Sequence, residues 1–74
     1  SVYPNPTKNL LTVISPVSKV TNVVIHDIAG RTVAVYDFTN NIDTTMDLSS
    51  LNSAVYFVEI NTEDGSITKR VIRE

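Results

Sequence analysis

Apolar residues in this chain either alternate with polar ones or cluster in short runs, and both patterns are typical of β-strands. They predict strands at residues 10–14, 22–28, 31–38, 42–48, 54–61 and 66–73. The stretch that begins at Ala54 is the most apolar, so we place its strand at the centre of a sheet. No stretch has the 3.6-residue period of an amphipathic helix.

Turn-forming residues separate these strands. Gly30, after Ala29, supplies the positive φ of a tight hairpin between the second and third strands. The Glu-Asp-Gly sequence at residues 63–65 predicts a second hairpin before the last strand. Pro16 ends the first strand, because proline cannot donate to a ladder, and residues 17–21 form a connection.

The first nine residues contain two prolines. Pro4 and Pro6 fix their own φ angles and push the preceding residues, Tyr3 and Asn5, into extended conformations. We therefore expect a stiff, extended lead-in. The chain then has six strands, or seven if the lead-in pairs with a neighbour.

The fourth predicted strand follows a polar stretch at residues 39–41. Alternate positions put Ile42, Thr44, Met46 and Leu48 on one face, and Asp43 and Asp47 on the other. A short strand with one solvated face is the simplest interpretation, with Thr44 as the polar residue on the apolar side.

The composition predicts the fold class. Eleven Val, seven Ile and nine Thr make 27 β-branched residues of 74, against three Ala, and β-branched side chains suit a pleated surface. An open sheet of this composition would leave an apolar face in water, so two sheets must face each other. We predict an all-β fold, a small antiparallel sandwich stabilised by its core alone, because the chain has no Cys.

One detail favours a sandwich of the immunoglobulin-like type. Residues 53–56, Ser-Ala-Val-Tyr, resemble the start of strand F in such domains, where a Tyr hydroxyl bonds upstream backbone. Tyr56 should therefore be mostly buried, with its hydroxyl on the corner at residues 47–53. Val58 takes the place where antibody domains have a Cys.

Charge and hydropathy exclude several classes of partner. Six Lys and Arg against eight Asp and Glu give a net charge of −2, and nucleic acid binding needs a basic face. The longest apolar run, residues 54–58, is far too short to span a membrane. A chain of 74 residues is at most one domain, so we expect residues 1–74 to be a single domain. Because it opens on Ser1, we expect this domain to be cut from a larger secreted precursor.

Residues with catalytic potential are poorly placed for an enzyme. The only histidine, His26, lies next to Asp27, but strand neighbours point to opposite faces and cannot act as a base with its orienting carboxylate. We expect His26 to be a partly buried packing residue. Without a base, no Ser or Thr is activated as a nucleophile.

Ligand sites are also weakly supported. Asp43 and Asp47 share a face, and acidic residues 63–64 lie in a hairpin, which would permit a loose calcium site. Nothing matches a dedicated calcium loop, so solvated carboxylates are the simpler interpretation, and we predict no cofactor. A glycan site needs exposed aromatic side chains, and the chain has no Trp. Its aromatic residues are Tyr3, Tyr36, Phe38, Tyr56 and Phe57.

Four motifs together resemble a known family. They are Val-Tyr-Pro-Asn-Pro at 2–6, Asp-Ile-Ala-Gly-Arg at 27–31, Leu-Asn-Ser-Ala-Val-Tyr at 51–56 and Thr-Lys-Arg-Val-Ile at 68–72. In this order and spacing, the chain resembles the C-terminal sorting domain of proteins exported by the type IX secretion system of Gram-negative bacteria. The resemblance covers nearly the whole chain. Ala54 departs from the family, which usually has Gly there.

The resemblance implies a function. The domain would direct an N-terminal cargo, which crosses the inner membrane by its own signal, through the periplasm to the outer-membrane translocon. A gingipain-type sortase at the cell surface would then remove the domain, and the cargo would be joined to anionic lipopolysaccharide or released. A small accessory module that binds glycan or a protein partner is the alternative from another class, and a structural spacer is a third.

The motif residues have two possible roles. Those that match the family, and that packing and turn chemistry also explain, are Tyr3, Pro4, Asn5, Pro6, Asp27, Gly30, Arg31, Leu51 and Tyr56. In that interpretation the Tyr3 ring covers the edge of the sandwich. Lys69 and Arg70 are different, since burial does not explain adjacent cations on a strand. They either protect a sheet edge from unwanted pairing or contact the export machinery.

Overall fold

The computed structural model describes residues 1–15 and 18–74, and the side chains within these ranges except those of residues 39–41. Seven β-strands form in the described chain: β1 (Val2–Tyr3), β2 (Leu10–Ile14), β3 (Val20–His26), β4 (Thr32–Asn41), β5 (Asp43–Asp47), β6 (Ala54–Thr62) and β7 (Gly65–Arg73). Those residues contain no helix that is long and apolar enough to cross a bilayer.

The strands form two antiparallel sheets. One has the order β1-β2-β5 and the other the order β4-β3-β6-β7. The predicted all-β sandwich is confirmed, with the seventh strand supplied by the lead-in, where Val2 pairs with Val13 of β2. β6 lies between β3 and β7, inside its sheet, as its apolar sequence predicted.

The core lies between the two sheets. Its buried hydrophobic side chains are Leu11, Val13, Val20, Val23, Ile25, Met46, Leu48, Tyr56, Val58, Ile60 and Val71. Most belong to strands and alternate with exposed residues, as the two-residue period requires. Each fully buried aliphatic side chain stabilises the fold by about 1.5–3 kcal/mol, which lets so small a core hold without a disulfide.

The immunoglobulin-like corner is confirmed. Tyr56 is 6% exposed and its hydroxyl donates a hydrogen bond of 2.6 Å to the backbone oxygen of Asn52. Val58 is fully buried two residues later. Ala54, the departure from the family, opens β6 in strand conformation, which an L-residue adopts without strain.

Several predicted boundaries were wrong. β3 begins at Val20, inside the expected connection, and β4 continues through residues 39–41, where we expected a polar loop. The reason is pairing, since Val20 lies opposite Asn41 and backbone bonds extend both strands regardless of side-chain polarity. The predicted end at Pro16 lies outside the described residues.

The parity predicted for β5 is correct with one exception. Thr44, Met46 and Leu48 are buried and the aspartates exposed, but Ile42 is 53% exposed instead of buried. Ile42 alone connects β4 to β5, so the chain turns there between the two sheets and the strand period does not reach it.

Candidate recognition site

Lys69 and Arg70 lie on β7, an edge strand of the four-stranded sheet. Both side chains are exposed. Arg70 is opposite Phe57 on the outer face, and Lys69 is opposite the buried Val58, on the side that faces the other sheet. Among the described residues, neither cation has a carboxylate within salt-bridge distance.

The first motif covers part of the β7 edge. The side-chain amide of Asn5 donates from Nδ2 to the backbone oxygen of Arg70 at 3.0 Å, and its Oδ1 accepts from the N–H of Ile72 at 3.0 Å. Thr7 extends this pairing through its backbone: its N–H donates to Ile72 and its oxygen accepts from Glu74, at 2.9 and 2.8 Å. Asn5 and Thr7 thus act as a short clamp on the end of β7.

Two prolines explain why the Asn5 side chain, and not its backbone, bonds the edge of β7. Pro4 and Pro6 have no N–H, so the backbone around Asn5 cannot form a regular ladder, while the Asn amide offers one donor and one acceptor. The Tyr3-Pro4 and Asn5-Pro6 peptide bonds are both cis. Here the chain leaves β1 in one sheet and reaches the edge of the other.

The extended lead-in that we predicted is therefore correct only for the two residues of β1. The chain bends at residues 5–6 and 8–9, because it must change sheets. The Tyr3 ring is 48% exposed, so it covers the edge of the sandwich only in part.

The second motif forms the β3–β4 turn. Asp27 Oδ1 accepts from the N–H groups of Ala29 and Arg31 at 3.0 and 2.9 Å, and Oδ2 accepts from Arg31 Nε at 2.9 Å. The bond from the Arg31 N–H is the main cause that lowers the pKa of Asp27. Gly30 has φ +86° and donates to Asp27 O at 3.0 Å, as its place in the hairpin predicted.

The third motif packs the neighbouring corner. Leu51 is half-buried against the core and its N–H donates to Leu48 O at 3.0 Å. An open cleft of about 360 Å³ separates this corner from the β3–β4 turn. Asp27, Ile28 and Arg31 line one side, and Asn52 and Tyr56 are among the residues on the other.

The sheet brings the second and third motifs, the Asn5 clamp and the end of the fourth motif to one end of the sandwich. His26, Phe57 and Arg70 lie in one row across β3, β6 and β7. The Asp27 turn directly follows His26, and the Asn5 clamp directly follows Arg70 along the edge. Segments separated by up to 67 residues in the sequence thus meet on one surface.

A comparison with protein families agrees with this arrangement. The family model described as the secretion system C-terminal sorting domain matches residues 1–74, the whole chain. The chain belongs to the family of type IX secretion C-terminal sorting domains. A comparison with curated proteins gave no match.

Membership gives the sorting domain its general role. It is a signal for type IX secretion. Domains of this family direct proteins toward the cell surface or out of the cell, and the family is not a catalytic one. The surface formed by β7 and the Asn5–Thr7 clamp is our candidate recognition site, and we call it the β7 edge.

One polar pair of the sorting domain was missed in the sequence. His26 is partly buried, as expected, but its Nε2 lies 3.0 Å from Oε1 of Glu59 on β6, and the bond lowers the pKa of Glu59. Asp27 does not bond His26, because β3 ends at His26 and the Asp27 carboxylate bonds Ala29 and Arg31 in the turn. The two partners are 33 residues apart, so no local spacing could have indicated the pair.

Two of the four carboxylates considered for calcium have other partners. Asp47 accepts from Ser49 N–H at 2.9 Å, and Asp64 accepts from the Ser18 hydroxyl at 2.5 Å. Within residues 1–15 and 18–74, no three metal-ligating side chains cluster. These bonds order the turns in which the carboxylates lie.

Proposed function

We propose that residues 1–74 are a single sorting domain that carries the export signal of a cargo joined at its N-terminal side. The folded domain passes through the periplasm, the outer-membrane translocon binds it, and a surface sortase removes it. It performs no catalysis and needs no cofactor. The observation that supports this proposal best is the pair of exposed cations, Lys69 and Arg70, on the edge beside the family's first motif.

A signal read in the folded state has to lie on the surface. Tyr56 and Val71 fail this test because they are buried, and Leu51 is half-buried against the core. Lys69 and Arg70 pass it, and they project to opposite sides of β7. A partner that grips this edge would contact both charges at once.

The electrostatics favour an acidic partner. Neither cation forms a salt bridge with a carboxylate in the described chain, so both are available to an external acidic group. An exposed pair of this kind adds only about 0–1 kcal/mol of affinity, but complementary charge raises association rates and fixes orientation. The domain's net charge of −2 argues against nucleic acid as that partner.

Export of a fused reporter tests the proposal. Residues 1–74 are joined to the C-terminus of a periplasmic reporter in a host that has a type IX system. We expect the reporter at the cell surface or in the medium. Lys69→Ala with Arg70→Ala should retain it in the periplasm, because the recognised charges are gone.

A matched control removes two other cations. Lys8→Ala with Lys19→Ala changes the net charge equally, and both side chains are exposed and lie outside β7. We expect this variant to be exported normally, and both double variants to fold within about 0.5 kcal/mol of the parent. Normal export of the Lys69 and Arg70 variant would exclude these residues. Failure of the unaltered fusion would refute the sorting function.

Removal by a sortase has its own measurement. Mass spectrometry of the exported parent protein should find its cargo without residues 1–74. If the domain persists on the mature exported protein, the removal step is wrong. Persistence of the domain is the result expected of an accessory binding module.

A further inference from the structure

The clamp covers only part of the β7 edge. In an antiparallel pair, alternate residues bond the neighbouring strand and the others point their N–H and C=O groups away. The Asn5 and Thr7 bonds show that Arg70 and Ile72 belong to the outward set. Ser66 and Thr68 belong to it by the same alternation.

Those groups lack partners toward the start of β7. In the described chain, no hydrogen bond reaches the outward N–H and C=O of Ser66 and Thr68, or the N–H of Arg70. Residues before Asn5 do not continue along β7, because Val2 and Tyr3 pair with β2 in the other sheet. An exposed strand edge of this kind can accept a further strand.

A cleft runs beside the same stretch, between the two sheets. It has a volume of about 170 Å³, and Val2, Val13, Ile60, Ile67 and Lys69 are among its lining residues. Ile67 is 51% exposed there, while Val13 and Ile60 belong to the buried core. The cleft is mostly apolar, and its polar lining residues are Lys69, Ser1, Ser15 and Thr62.

We infer that residues 66–70 of β7 accept an extended segment of the export machinery as an added strand. The segment alternates apolar and acidic side chains. Its apolar side chains enter the cleft beside Ile67 and Lys69, and its acidic ones lie on the outer face beside Arg70. This inference rests on the proposed function, and it names the chemistry of the partner.

The charges on β7 decide between possible occupants. A second copy of β7 would bring Lys69 and Arg70 close to their own equivalents, and like charges across a strand pair are destabilising. The other edge strand of this sheet, β4, contains no Lys or Arg and presents Asp37, so it would not attract an acidic strand. An acidic, extended protein segment on β7 is the occupant that these residues favour.

Titration with short synthetic peptides tests strand addition directly. One capped peptide alternates Val with Glu, and a control peptide alternates Val with Lys. Nuclear magnetic resonance of the isotopically labelled domain should show saturable shifts at residues 66–70 with the first peptide only. The amides of Thr68 and Arg70 should gain protection from hydrogen exchange, whereas those of Ile67 and Lys69, which already bond β6, should not.

Two variants at one position separate strand addition from simple charge attraction. Thr68→Pro removes the outward N–H, and an edge strand tolerates proline where the N–H faces solvent. Thr68→Val keeps the N–H and the branched shape. We expect the Val–Glu peptide to bind the Val variant and not the Pro variant, with circular dichroism used to confirm that both fold.

Three results would overturn the inference. The first is the absence of saturable binding by the Val–Glu peptide. The second is resonance shifts on β4 or the outer face without new protection of the Thr68 and Arg70 amides from hydrogen exchange. The third is binding of the peptide to a folded Thr68→Pro variant. In the reporter fusion, Thr68→Pro should also block export. Normal export of that variant, with export still lost on removal of Lys69 and Arg70, would reject strand addition and leave the sorting function intact.

Discussion

Asn5 and Ile72 lie 67 residues apart in the sequence, yet Asn5 Oδ1 accepts a hydrogen bond of 3.0 Å from the Ile72 N–H. Together with the bond from Asn5 Nδ2 to Arg70 O, this contact places the first and last motifs of the family on one edge. The Pro-Asn-Pro sequence therefore does more than stiffen the lead-in. It holds the strand on which the candidate recognition residues lie.

The contribution of the clamp to stability should be measurable by removing the side-chain amide of Asn5. Asn5→Ala removes two hydrogen bonds at an exposed edge, and we expect the free energy of unfolding to fall by about 1–2 kcal/mol. Hydrogen exchange should show lower protection of the Ile72 amide. The Val71 amide, on the side of β7 that faces β6, is the internal control. Unchanged exchange at Ile72 would contradict the clamp.

Two substitutions at Tyr56 should separate the stability contributed by its hydrogen bond from that contributed by its packing. Tyr56→Phe removes only the bond to Asn52 O, so we expect a cost of about 0.5–1.5 kcal/mol. Tyr56→Ala also opens a cavity in the core and should cost about 3–5 kcal/mol. Chemical denaturation of both variants makes the comparison. Small and equal effects would mean that the side chain does not anchor the corner.

Thr44 offers a stabilising substitution. Its side chain is 3% exposed, and its Oγ1 has no hydrogen-bond partner among the described residues. Thr44→Val replaces the buried hydroxyl by a methyl group of similar shape, which should raise the free energy of unfolding by about 1 kcal/mol. Thr68→Val is the control, because Thr68 is exposed on β7 and its hydroxyl has no hydrogen-bond partner among the described residues, and it should change the free energy of unfolding by less than about 0.5 kcal/mol. Destabilisation by Thr44→Val would show that the hydroxyl is satisfied in solution.

Acid should weaken the β3–β4 turn and the His26–Glu59 pair. The folded-state pKa values of Asp27 and Glu59 lie below their ordinary values of 3.8 and 4.5, mainly through bonds from Arg31 and His26. A depressed carboxyl pKa stabilises the fold above the ordinary pKa, and this stabilisation disappears as the pH falls through the folded-state pKa. The melting temperature should therefore fall as the pH drops below about 4.5.

Two neutral variants test whether Asp27 and Glu59 cause the fall in melting temperature at acid pH. Asp27→Asn and Glu59→Gln should each flatten the decline in melting temperature, because each removes one titrating group. Asp43→Asn is the matched control, since Asp43 is an exposed carboxylate on another strand. If the control flattens the profile as much as the other two variants, the bonds of Asp27 and Glu59 are not its cause.

The sequence alone determined the features that depend on neighbouring residues. Alternation predicted most strands, the buried face of β5 and the central place of β6, because successive side chains on a strand take opposite faces. Gly30 predicted its hairpin, because few residues adopt its positive φ. Residues 53–56 predicted the buried Tyr56 and its backbone bond, whose partner, Asn52, is four residues away.

Only the tertiary structure decided the contacts between distant segments. The sheets bring together Asn5 with Ile72 and His26 with Glu59. No period or turn signal in the sequence encodes such pairs. The same holds for the full length of β4, which backbone pairing with Val20 extends through polar residues. The stretch of β7 whose outer side no described residue pairs with is also a tertiary outcome, because it depends on where the lead-in changes sheets. Local chemistry sets each strand and turn, but sheet pairing decides which strand edges are covered and which stay open to a partner.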